Sequence, residues 1–572
     1  MISVQQAMES KAPSFFERYP RIVTEASVRF LKKLVHEREI NEFLEQNKDL
    51  DGHAFVEAVL DRLKVDFTVS SKQRMNIPAS GKVLIIANHP LGGLDGLALL
   101  KFIGEVRRDV KIVANDLLLQ FDPLSPLLLP VDNMSGKPSK KALQAILEAL
   151  NNDEAVIFFP AGEVSRVRPT GVIDGKWKSG FLKMALKSGA PILPIRILAK
   201  NSSLFYGMSF FFKNLSSILL PNELFRFQSK TIHFFVGRPI PKKSYDLPGL
   251  SLKTKTDLLK QHLFKVGKKR TKKEVFATET PIAHPENRQA ILKDLSECQL
   301  LGETTDNKKI YLYDYQKGSA LMREIGRLRE MTFRHVEEGS GASRDNDRYD
   351  PFYRHLVLWD EKALEVVGSY RIGETEAILS NEKAPGLYTA SLFTFHKPFD
   401  PYLDHAIELG RSFVQPRYWG TRALDYLWQG IGAYLKHNPQ IKTMFGPVSI
   451  PATYPKAARD LLVHFYTLYF GTPECVVTSN NPYTLSRESG TLMEEIFKGD
   501  DYTGDFRTLK EHLGHMGLTV PTLYKQYAEV CEPGGVKFFE FGVDPDFGNC
   551  VDGFIAVDVS QIKEAKRQRY MR

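Results

Sequence analysis

Short apolar runs alternate with amphipathic stretches between residues 82 and 240, and this alternation constrains the fold more than any other feature of the sequence. The apolar runs are rich in Val and Ile, and they include VLIIA, VKIVA, AVIFFP and APILPIRIL. The stretches between them, such as LDGLALLKFIGEV and SKKALQAILEALNN, have helical periodicity. Strands that alternate with helices in this way predict an α/β domain.

A second pattern begins near residue 295. Strand-like runs such as KKIYLYDY, HLVLWD and EVVGSYRI surround longer helical stretches there, which predicts a further domain of α/β or α+β class. Because 572 residues are too many for one hydrophobic core, several domains are expected. The expected domains are a helical N-terminal segment (1–75), an α/β domain (76–250), a basic helix and linker (251–294) and an α+β domain (295–572).

The formal net charge of +9 and the pI of about 9.0 favour acidic partners, such as an anionic membrane surface, an acidic carrier protein or nucleic acid. The sequence has neither the aromatic-interleaved basic motif of an RNA-binding sheet nor a zinc-type spacing, so neither nucleic acid nor a metal is expected. Cysteines without a CxxC pair indicate reduced thiols in a cytoplasmic protein. No run of about 18 apolar residues predicts a spanning helix, although the segment 204–220 could lie in a membrane interface.

The segment NHPLGGLDG follows the apolar run VLIIA and brings a histidine and an aspartate close together in sequence. A neutral imidazole such as that of His89 can take a proton from an attacking hydroxyl, and a carboxylate such as that of Asp95 can fix its tautomer. This pair suits acyl transfer to an alcohol, because a hydroxyl is a poor nucleophile until its proton leaves. A loop histidine beside a helix-capping aspartate is the alternative, purely structural interpretation.

A second polar segment, FFPAGEVSR, follows another apolar run. Because ligands bind where strand ends share an edge of an α/β sheet, we expect this segment to lie near His89. Together the two segments resemble the glycerolipid acyltransferase family, whose members move a fatty acyl group from a thioester to a lipid hydroxyl. The resemblance implies that His89 is the general base and that Asp95 orients it. It also implies an acceptor-binding loop that contains Gly162, Glu163, Ser165 and Arg166.

The first half departs from the pattern of that family at two places. Five residues, not four, separate His89 from Asp95, and Gly92 and Gly93 could absorb the extra residue. Ala161 occupies the position of the family's glutamate. In these respects the sequence resembles the branch of the family that acylates amino-acid lipids without phosphorus.

The second half carries a different order of motifs. An arginine before an aromatic residue, an acidic run that ends in Tyr-Asp, the motif GSYR and the motif ELGR follow one another between residues 329 and 411. This order resembles the GNAT-type N-acyltransferases, among them the ornithine-lipid N-acyltransferases and the acyl-homoserine-lactone synthases. A later turn, RYWGTRAL, opens a helix and could hold the phosphate of a phosphopantetheine arm at Arg417 and Gly420.

In an N-acyltransferase the amine must lose a proton before it attacks a thioester, and a carboxylate could take that proton. Glu408 is the first candidate for this acidic role, and Asp347 is the second. Three arginines, Arg329, Arg371 and Arg411, are candidates for binding the carboxylate of an amino acid, with structural ion pairs as the alternative.

The presence of both halves in one chain resembles the bifunctional ornithine-lipid and glutamine-lipid synthases. The resemblance implies that the second domain transfers a 3-hydroxyacyl group from acyl carrier protein to the α-amine of an amino acid. The first domain then esterifies the 3-hydroxyl of that product. Ornithine is the first choice of amino acid, and glutamine, lysine or glycine are the alternatives. The expected location is the anionic inner face of the cytoplasmic membrane, and no cofactor is expected beyond the phosphopantetheine of the donor.

Three other functions stay open at this point. The second half could act alone as an N-acyltransferase beside an inactive first half. The chain could instead make an acyl-homoserine lactone, or it could be a basic, non-enzymatic scaffold that binds membranes or nucleic acid.

Overall fold

A seven-stranded sheet and an eight-stranded sheet organise two units of the chain, Met1–Pro281 and Ile282–Arg572. The boundary between the units falls within the segment 251–294 that the sequence marks as a basic helix and linker. The computed structural model describes residues 3–11, 16, 19–115, 121–131, 139–168, 171–202, 220–268, 274–485 and 487–571.

The segment 204–220, expected at a membrane interface, lies outside the described residues except for Leu220. Across the helices that the structure does describe, none is long and apolar enough to cross a membrane.

The first unit begins with helices and continues with alternating strands and helices. Its helices are α1 (Val4–Lys11), α2 (Arg21–Leu34), α3 (Glu37–Gln46), α4 (Gly52–Arg62), α5 (Ser71–Arg74), α6 (Gly93–Gly104), α7 (Lys140–Asn151), α8 (Gly180–Ser188), α9 (Leu220–Arg226), α10 (Lys242–Tyr245) and α11 (Leu252–Lys265). Its strands are β1 (Asp66–Thr68), β2 (Val83–Ala87), β3 (Val110–Asn115), β4 (Leu128–Val131), β5 (Ala155–Phe158), β6 (Arg166–Arg168), β7 (Gly171–Ile173), β8 (Ile192–Leu198) and β9 (Thr231–Val236).

The seven-stranded sheet has the strand order β1-β9-β8-β2-β5-β3-β4. Strands β8, β2, β5, β3 and β4 run parallel to one another, and β9 pairs antiparallel with β8. Strand β1 lies inside the segment 1–75 that the sequence marks as helical, and it joins the edge of this sheet beside β9. Because β2 has parallel neighbours on both sides, the loop that follows it lies where ligands bind in open α/β sheets.

Apolar layers cover both faces of this sheet. Along β2 the side chains of Val83, Ile85 and Ala87 pack on one layer, and those of Leu84 and Ile86 pack on the other. Helices α4 and α6 cover the first face, and helices α7, α8 and α11 cover the second. Burial on both faces explains why the sequence of β2 is a continuous apolar run rather than an alternating one.

The second unit contains a larger, mostly antiparallel sheet. Its helices are α12 (Arg288–Ser296), α13 (Ala320–His335), α14 (Thr375–Leu379), α15 (Asp400–Leu403), α16 (Ala423–His437), α17 (Lys456–Phe470), α18 (Arg487–Ile496), α19 (Tyr502–His515), α20 (Thr522–Ala528) and α21 (Glu564–Tyr570). Its strands are β10 (Gln299–Glu303), β11 (Lys308–Asp314), β12 (Arg354–Asp360), β13 (Glu365–Glu374), β14 (Phe393–Phe395), β15 (Ala406–Val414), β16 (Thr443–Ile450), β17 (Val477–Ser479), β18 (Val536–Asp544) and β19 (Cys550–Asp558).

The eight strands of the main sheet follow the order β10-β11-β12-β13-β15-β16-β19-β18. Neighbouring strands are antiparallel except for β15 and β16, which are parallel. That parallel pair extends over only three residues of each strand, Ala406–Glu408 and Thr443–Phe445. Beyond this point, β16 stays paired with β19, whereas β15 stays paired with β13. The predicted classes, α/β for the first domain and α+β for the second, are confirmed.

Candidate active sites

The first candidate site lies in the loop between β2 and α6. The Nδ1 atom of His89 lies 3.1 Å from Oδ2 of Asp95, and the Asp95 carboxyl is fully buried. The same Asp95 oxygen accepts the backbone N–H groups of Leu91 (2.7 Å) and Gly92 (3.2 Å). Burial raises the pKa of the Asp95 carboxyl, and its hydrogen bonds to His89 and to the two backbone N–H groups oppose that effect.

Two contacts fix the loop that carries His89. The side-chain amide of the preceding residue, Asn88, donates to the carbonyl oxygen of Ile197 (2.9 Å) and accepts the N–H of the same residue (2.7 Å), so that the loop is tied to β8. The imidazole of His89 stacks on the ring of Phe159, with a centroid separation of 4.0 Å. The imidazole is therefore oriented by one carboxylate and one aromatic face.

The segment FFPAGEVSR meets the histidine loop directly. The backbone N–H of Ser165 donates to the carbonyl oxygen of His89 at 2.7 Å. The Ser165 hydroxyl is buried and donates to Asp174 Oδ1 at 2.5 Å. Asp174 also accepts the indole N–H of Trp177 (2.9 Å) and the backbone N–H of His89 (3.2 Å). Ser165 thus joins the two loops, and Asp174, which sequence reasoning missed, holds both of them.

The other predicted residues of this segment, Gly162, Glu163 and Arg166, flank Ser165 in the chain. Gly162 adopts a left-handed φ of 64°, and a Cβ atom there would lie 3.6 Å from the Lys178 ammonium. Arg166 lies 3.7 Å from the Glu163 carboxylate, at ion-pair distance. Gly162 therefore has Lys178 as a close neighbour, whereas Glu163 and Arg166 face each other.

A cleft of about 300 Å³ opens beside His89. Its lining includes His89, Gly92, Gly162, Lys178 and Asn115, and most of its other wall residues are apolar. The apolar wall residues are Ile112, Val113, Ala114, Val131, Leu143, Ile146, Phe158, Phe159, Phe181 and Met184. A largely apolar cleft that is lined by a base can hold a hydrocarbon chain while the reacting end of that chain meets the imidazole.

The second candidate site lies where β15 and β16 separate. Arg411 of β15 has a left-handed φ of 48°, and the register between β15 and β13 shifts at this position. Its guanidinium lies between the rings of Tyr388 and Phe547, with distances of 4.9 Å and 5.0 Å to the centroids. Its Nε atom lies 3.4 Å from the carboxylate of Asp345. A strained backbone conformation at a bulge often marks a functional residue.

The other two predicted arginines also lie in buried ion pairs. Arg329 donates to Asp350 at 2.8 Å, and Arg371 donates to both carboxylate oxygens of Asp347 at 2.8 Å and 2.7 Å. Burial acts to raise the pKa of Asp347, but the charge and hydrogen bonds of Arg371, together with the charge of Arg411, hold that pKa below its ordinary value. A carboxylate held ionised in this way is a weak proton acceptor.

The carboxylate of Glu408 is also fully engaged. It accepts hydrogen bonds from the hydroxyl groups of Tyr353 and Thr389, and from the backbone N–H groups of Thr389 (2.5 Å) and Tyr388 (3.1 Å). Glu408 thereby ties the segment of Tyr388 to β15. The ring of Tyr388 in turn supports Arg411.

The predicted phosphate-binding turn precedes α16. Gly420 has a left-handed φ of 75°, and the first N–H groups of α16 follow it. Arg417 lies at the surface and donates to Glu365 at 2.8 Å. The turn therefore offers backbone N–H groups, while its arginine is paired with a carboxylate.

Comparison with known proteins agrees with this division. A family model described as Acyltransferase matches residues 6–268, and a model described as Acetyltransferase (GNAT) domain matches residues 328–429. A glycine N(alpha)-acyltransferase of Bacteroides thetaiotaomicron is 33% identical over 303 residues, which are 51% of this chain and 89% of the relative. A lyso-glycine lipid O-acyltransferase of the same organism is 35% identical over 254 residues, which are 43% of this chain and 90% of the relative.

A more distant relative is the L-ornithine N(alpha)-acyltransferase of Brucella abortus. It is 34% identical over 149 residues, which are 23% of this chain and 51% of the relative. The chain therefore belongs to the acyltransferases: it is an enzyme of aminolipid N-acylation and lyso-lipid O-acylation that joins an acyltransferase domain and a GNAT domain in one polypeptide.

Proposed function

We propose that this enzyme makes a diacylated glycine lipid in two steps. The GNAT domain joins a 3-hydroxyacyl group to the amine of glycine, and the acyltransferase domain esterifies the 3-hydroxyl of that product with a second acyl group. One observation carries the proposal. This one chain matches about nine-tenths of the length of a glycine N-acyltransferase and about nine-tenths of the length of a lyso-glycine lipid O-acyltransferase. Ornithine, the first choice from the sequence, is the second candidate, supported by a match to about half of an ornithine N-acyltransferase.

In the O-acylation step, His89 acts as the general base. Its Nδ1–H donates to Asp95, which leaves Nε2 free to take the proton of the lipid hydroxyl. The hydroxyl oxygen then attacks the carbonyl carbon of an acyl thioester, the C–S bond breaks, and the imidazolium returns the proton to the departing thiolate. The apolar cleft beside His89 accommodates the acyl chain, and its lining at Gly162 and Lys178 receives the polar end of the acceptor.

In the N-acylation step, Arg411 binds the carboxylate of the amino acid. Its guanidinium is held between two aromatic rings and lies near the end of the β15–β16 pairing. The acyl donor enters between these separating strands, and the backbone N–H groups near Gly420 receive a phosphate of its arm. Arg329, Arg371, Asp347 and Glu408 position the surrounding segments through their buried contacts.

We also propose acyl carrier protein as the acyl donor and an anionic membrane surface as the location. Both partners are acidic, and the net charge of +9 attracts them. The acceptor of the O-acylation step is itself a single-chain lipid, which partitions into a membrane surface.

The test is expression of the full chain in a bacterium that lacks such lipids, followed by mass spectrometry of the lipid extract. The wild-type chain is expected to yield the diacylated glycine lipid. His89→Ala is expected to lower the diacyl product about a thousandfold, because the base is lost, and to accumulate the monoacyl amide. His233→Ala, at an exposed histidine of the same unit, is the matched control and should leave both products unchanged. An unchanged diacyl product in His89→Ala would contradict the assigned base, and ornithine amides in place of glycine amides would select the second candidate.

A further inference from the structure

Three buried carboxylates lie together near the second site, and the two acyl-transfer steps do not use them. Asp552 of β19 pairs directly with Ser449 of β16, and it accepts the Ser449 hydroxyl at 2.7 Å. Cys550 lies two residues before Asp552, on the same face of the strand, and it pairs directly with Asp544 of β18. Asp544 and Asp552 are therefore diagonal neighbours on one face of the sheet, and both are buried.

The third carboxylate approaches from outside the sheet. Glu338 follows α13 and is only 7% exposed, yet its Oε1 atom is fully buried and has no hydrogen-bond partner. The turn between β18 and β19 packs on this segment, since a Cβ atom on Gly548 would lie 2.3 Å from the Glu337 carbonyl oxygen. Burial, followed by the charges of Asp552 and Asp544, raises the pKa of Glu338 to about 8. Glu338 thus lies close enough to the other two carboxylates for their charges to act on its pKa.

This cluster lacks a balancing cation. Among the described residues, no Lys, Arg or His lies within ion-pair distance of Glu338, Asp544 or Asp552. The positive charge that acts on both Asp544 and Asp552 is that of Arg411. Buried carboxylates without a cation are costly in their ionised form, so the arrangement favours a cationic ligand that stabilises this form.

The geometry selects an organic cation rather than a metal ion. His, Cys, Asp and Glu side chains can share a metal ion only when their ligand atoms lie close together. In the described part of the chain, three such atoms lie within 4.8 Å of one another in one set, at Glu376, Asp404 and His405 on the surface. The buried carboxylates are therefore too widely spaced to share one metal ion. The hydroxyl of Tyr388 lies 3.4 Å from Asp544 Oδ2, and the ring of the same Tyr388 supports Arg411. A cationic region thus lies directly beside an anionic one.

We propose that Glu338, Asp544 and Asp552 form the binding site for the ammonium group of the amino-acid substrate, while Arg411 binds its carboxylate. The inference deepens the proposed N-acylation, on which it rests, by defining the substrate class as a zwitterion. Such a site distinguishes an amino acid from a simple carboxylic acid, because an uncharged group would leave the three carboxylates unpaired.

The same cluster accounts for the first proton of the reaction. The ammonium transfers one proton to the Glu338 carboxylate, and the neutral amine attacks the carbonyl carbon of the acyl thioester. The C–S bond breaks as the C–N bond forms. The second proton lost by the nitrogen is taken up by the departing thiolate, which leaves an amide, a thiol and a protonated Glu338 that returns its proton to water.

Steady-state kinetics of the full chain with glycine as the varied substrate test this site. Glu338→Gln and Asp552→Asn are each expected to raise the KM for glycine about tenfold or more, because a buried charge loses its partner, with the KM for the acyl donor unchanged. Glu337→Gln, at the exposed neighbouring residue, is the matched control and should change the KM for glycine by less than about twofold. Glycolate, which has the carboxylate of glycine but a hydroxyl in place of the ammonium, is expected to inhibit the wild-type and Glu338→Gln chains equally.

Unchanged inhibition by glycolate also shows that the Arg411 site of each variant is folded. The inference is overturned if both variants keep their KM for glycine while glycolate still binds, or if they lose glycine and glycolate binding together. Failure of the proposed function is a different result: the wild-type chain itself would form no glycine amide. In that case the same variants are measured with ornithine as the varied substrate. A rise in the KM for ornithine in Glu338→Gln and Asp552→Asn is then the expected result.

Discussion

His355 shows how a buried ion network in the second unit depends on one uncharged side chain. Its Nδ1 atom lies 3.2 Å from Nη2 of Arg329, and its Nε2 atom lies 3.3 Å from the carbonyl oxygen of Asp350. A guanidinium can only donate, so Nδ1 accepts, Nε2 carries the proton, and the imidazole is neutral. Burial and the charge of Arg329 lower the pKa of His355 to about 4, against the opposing effect of Asp350.

This pKa predicts a loss of stability in mild acid. A histidine in the unfolded chain takes up its proton near pH 6.5, before the folded one does, so the unfolded state binds more protons between pH 6.5 and about 4. The contribution of His355 is fully present above pH 6.5 and falls by roughly 3 kcal/mol as the pH decreases to about 4. Hydrogen exchange of the amides of β12 at a series of pH values measures the free energy of opening.

The comparison with His355→Gln isolates this effect from other groups that titrate in acid. Asp552 has its pKa raised to about 6, mainly by burial, and contributes in the opposite sense, but it is common to both chains. We expect a flatter dependence on pH in His355→Gln than in the wild type, whereas His437→Gln, at an exposed position of α16, should keep the wild-type slope. Identical slopes in the wild-type and His355→Gln chains would contradict the neutral, buried histidine.

Residue spacing explains which side chains could be identified from the sequence. His89 and Asp95 are close in sequence, so one local turn brings them together, and the pattern sufficed to pair them. Glu338 and Asp552 are separated by more than 200 residues and meet only through the packing of the turn between β18 and β19. No local sequence pattern marks such a cluster. It can be identified only when the structure shows which carboxylates are buried and which of their oxygen atoms have no hydrogen-bond partner.

At the scale of elements, Gly92 shapes the turn from β2 into α6 that brings His89 and Asp95 together. Gly92 has φ 88° and ψ −137°, a conformation that is essentially restricted to glycine, and it caps α6. Gly93 has no such backbone conformation, and a Cβ atom there would meet nothing within 4 Å. The sequence indicated both glycines equally, and the structure assigns the conformational role to Gly92.

Gly92→Ala should therefore impair the first site, and Gly93→Ala is its matched control. Strain of about 1–3 kcal/mol at residue 92 would shift the turn that holds Asp95 against His89. We expect the rate of O-acylation to fall by about tenfold or more in Gly92→Ala, with N-acylation by the same preparation unchanged. Gly93→Ala should keep both rates. Equal O-acylation by the two variants would show that the left-handed turn is not what positions the pair.

The strands of the second unit show what element-scale patterns cannot predict. The sequence indicates β15 and β16 as strands, but their separation after three paired residues depends on partners far along the chain. Strand β19 pairs with β16 along its whole length, and β15 pairs with β13 with a register shift at Arg411. The separation of β15 from β16 is thus a property of strand pairing, which hydrophobic periodicity does not encode.

At the scale of the whole molecule, one chain here is similar to two separate proteins of Bacteroides thetaiotaomicron. The N-acyltransferase match covers 51% of this chain, and the O-acyltransferase match covers 43% of it. In the proposed function the product of the first step is the acceptor of the second, so a covalent link raises the local concentration of each site for the other. The benefit of that link should therefore be greatest when the enzyme is dilute.

Two equimolar mixtures with identical numbers of working sites measure this benefit. The first contains the wild-type chain and the double variant His89→Ala/Arg411→Ala, so that both working sites share one chain. The second contains the two single variants, so that the working sites lie on different chains. We expect the first mixture to form diacyl lipid with a shorter lag at nanomolar protein, with the difference vanishing as protein concentration rises, because effective concentrations in tethered systems are about millimolar. Equal lags at every concentration would mean that the intermediate equilibrates with the membrane before it is esterified, and that fusion of the two domains serves co-expression rather than transfer.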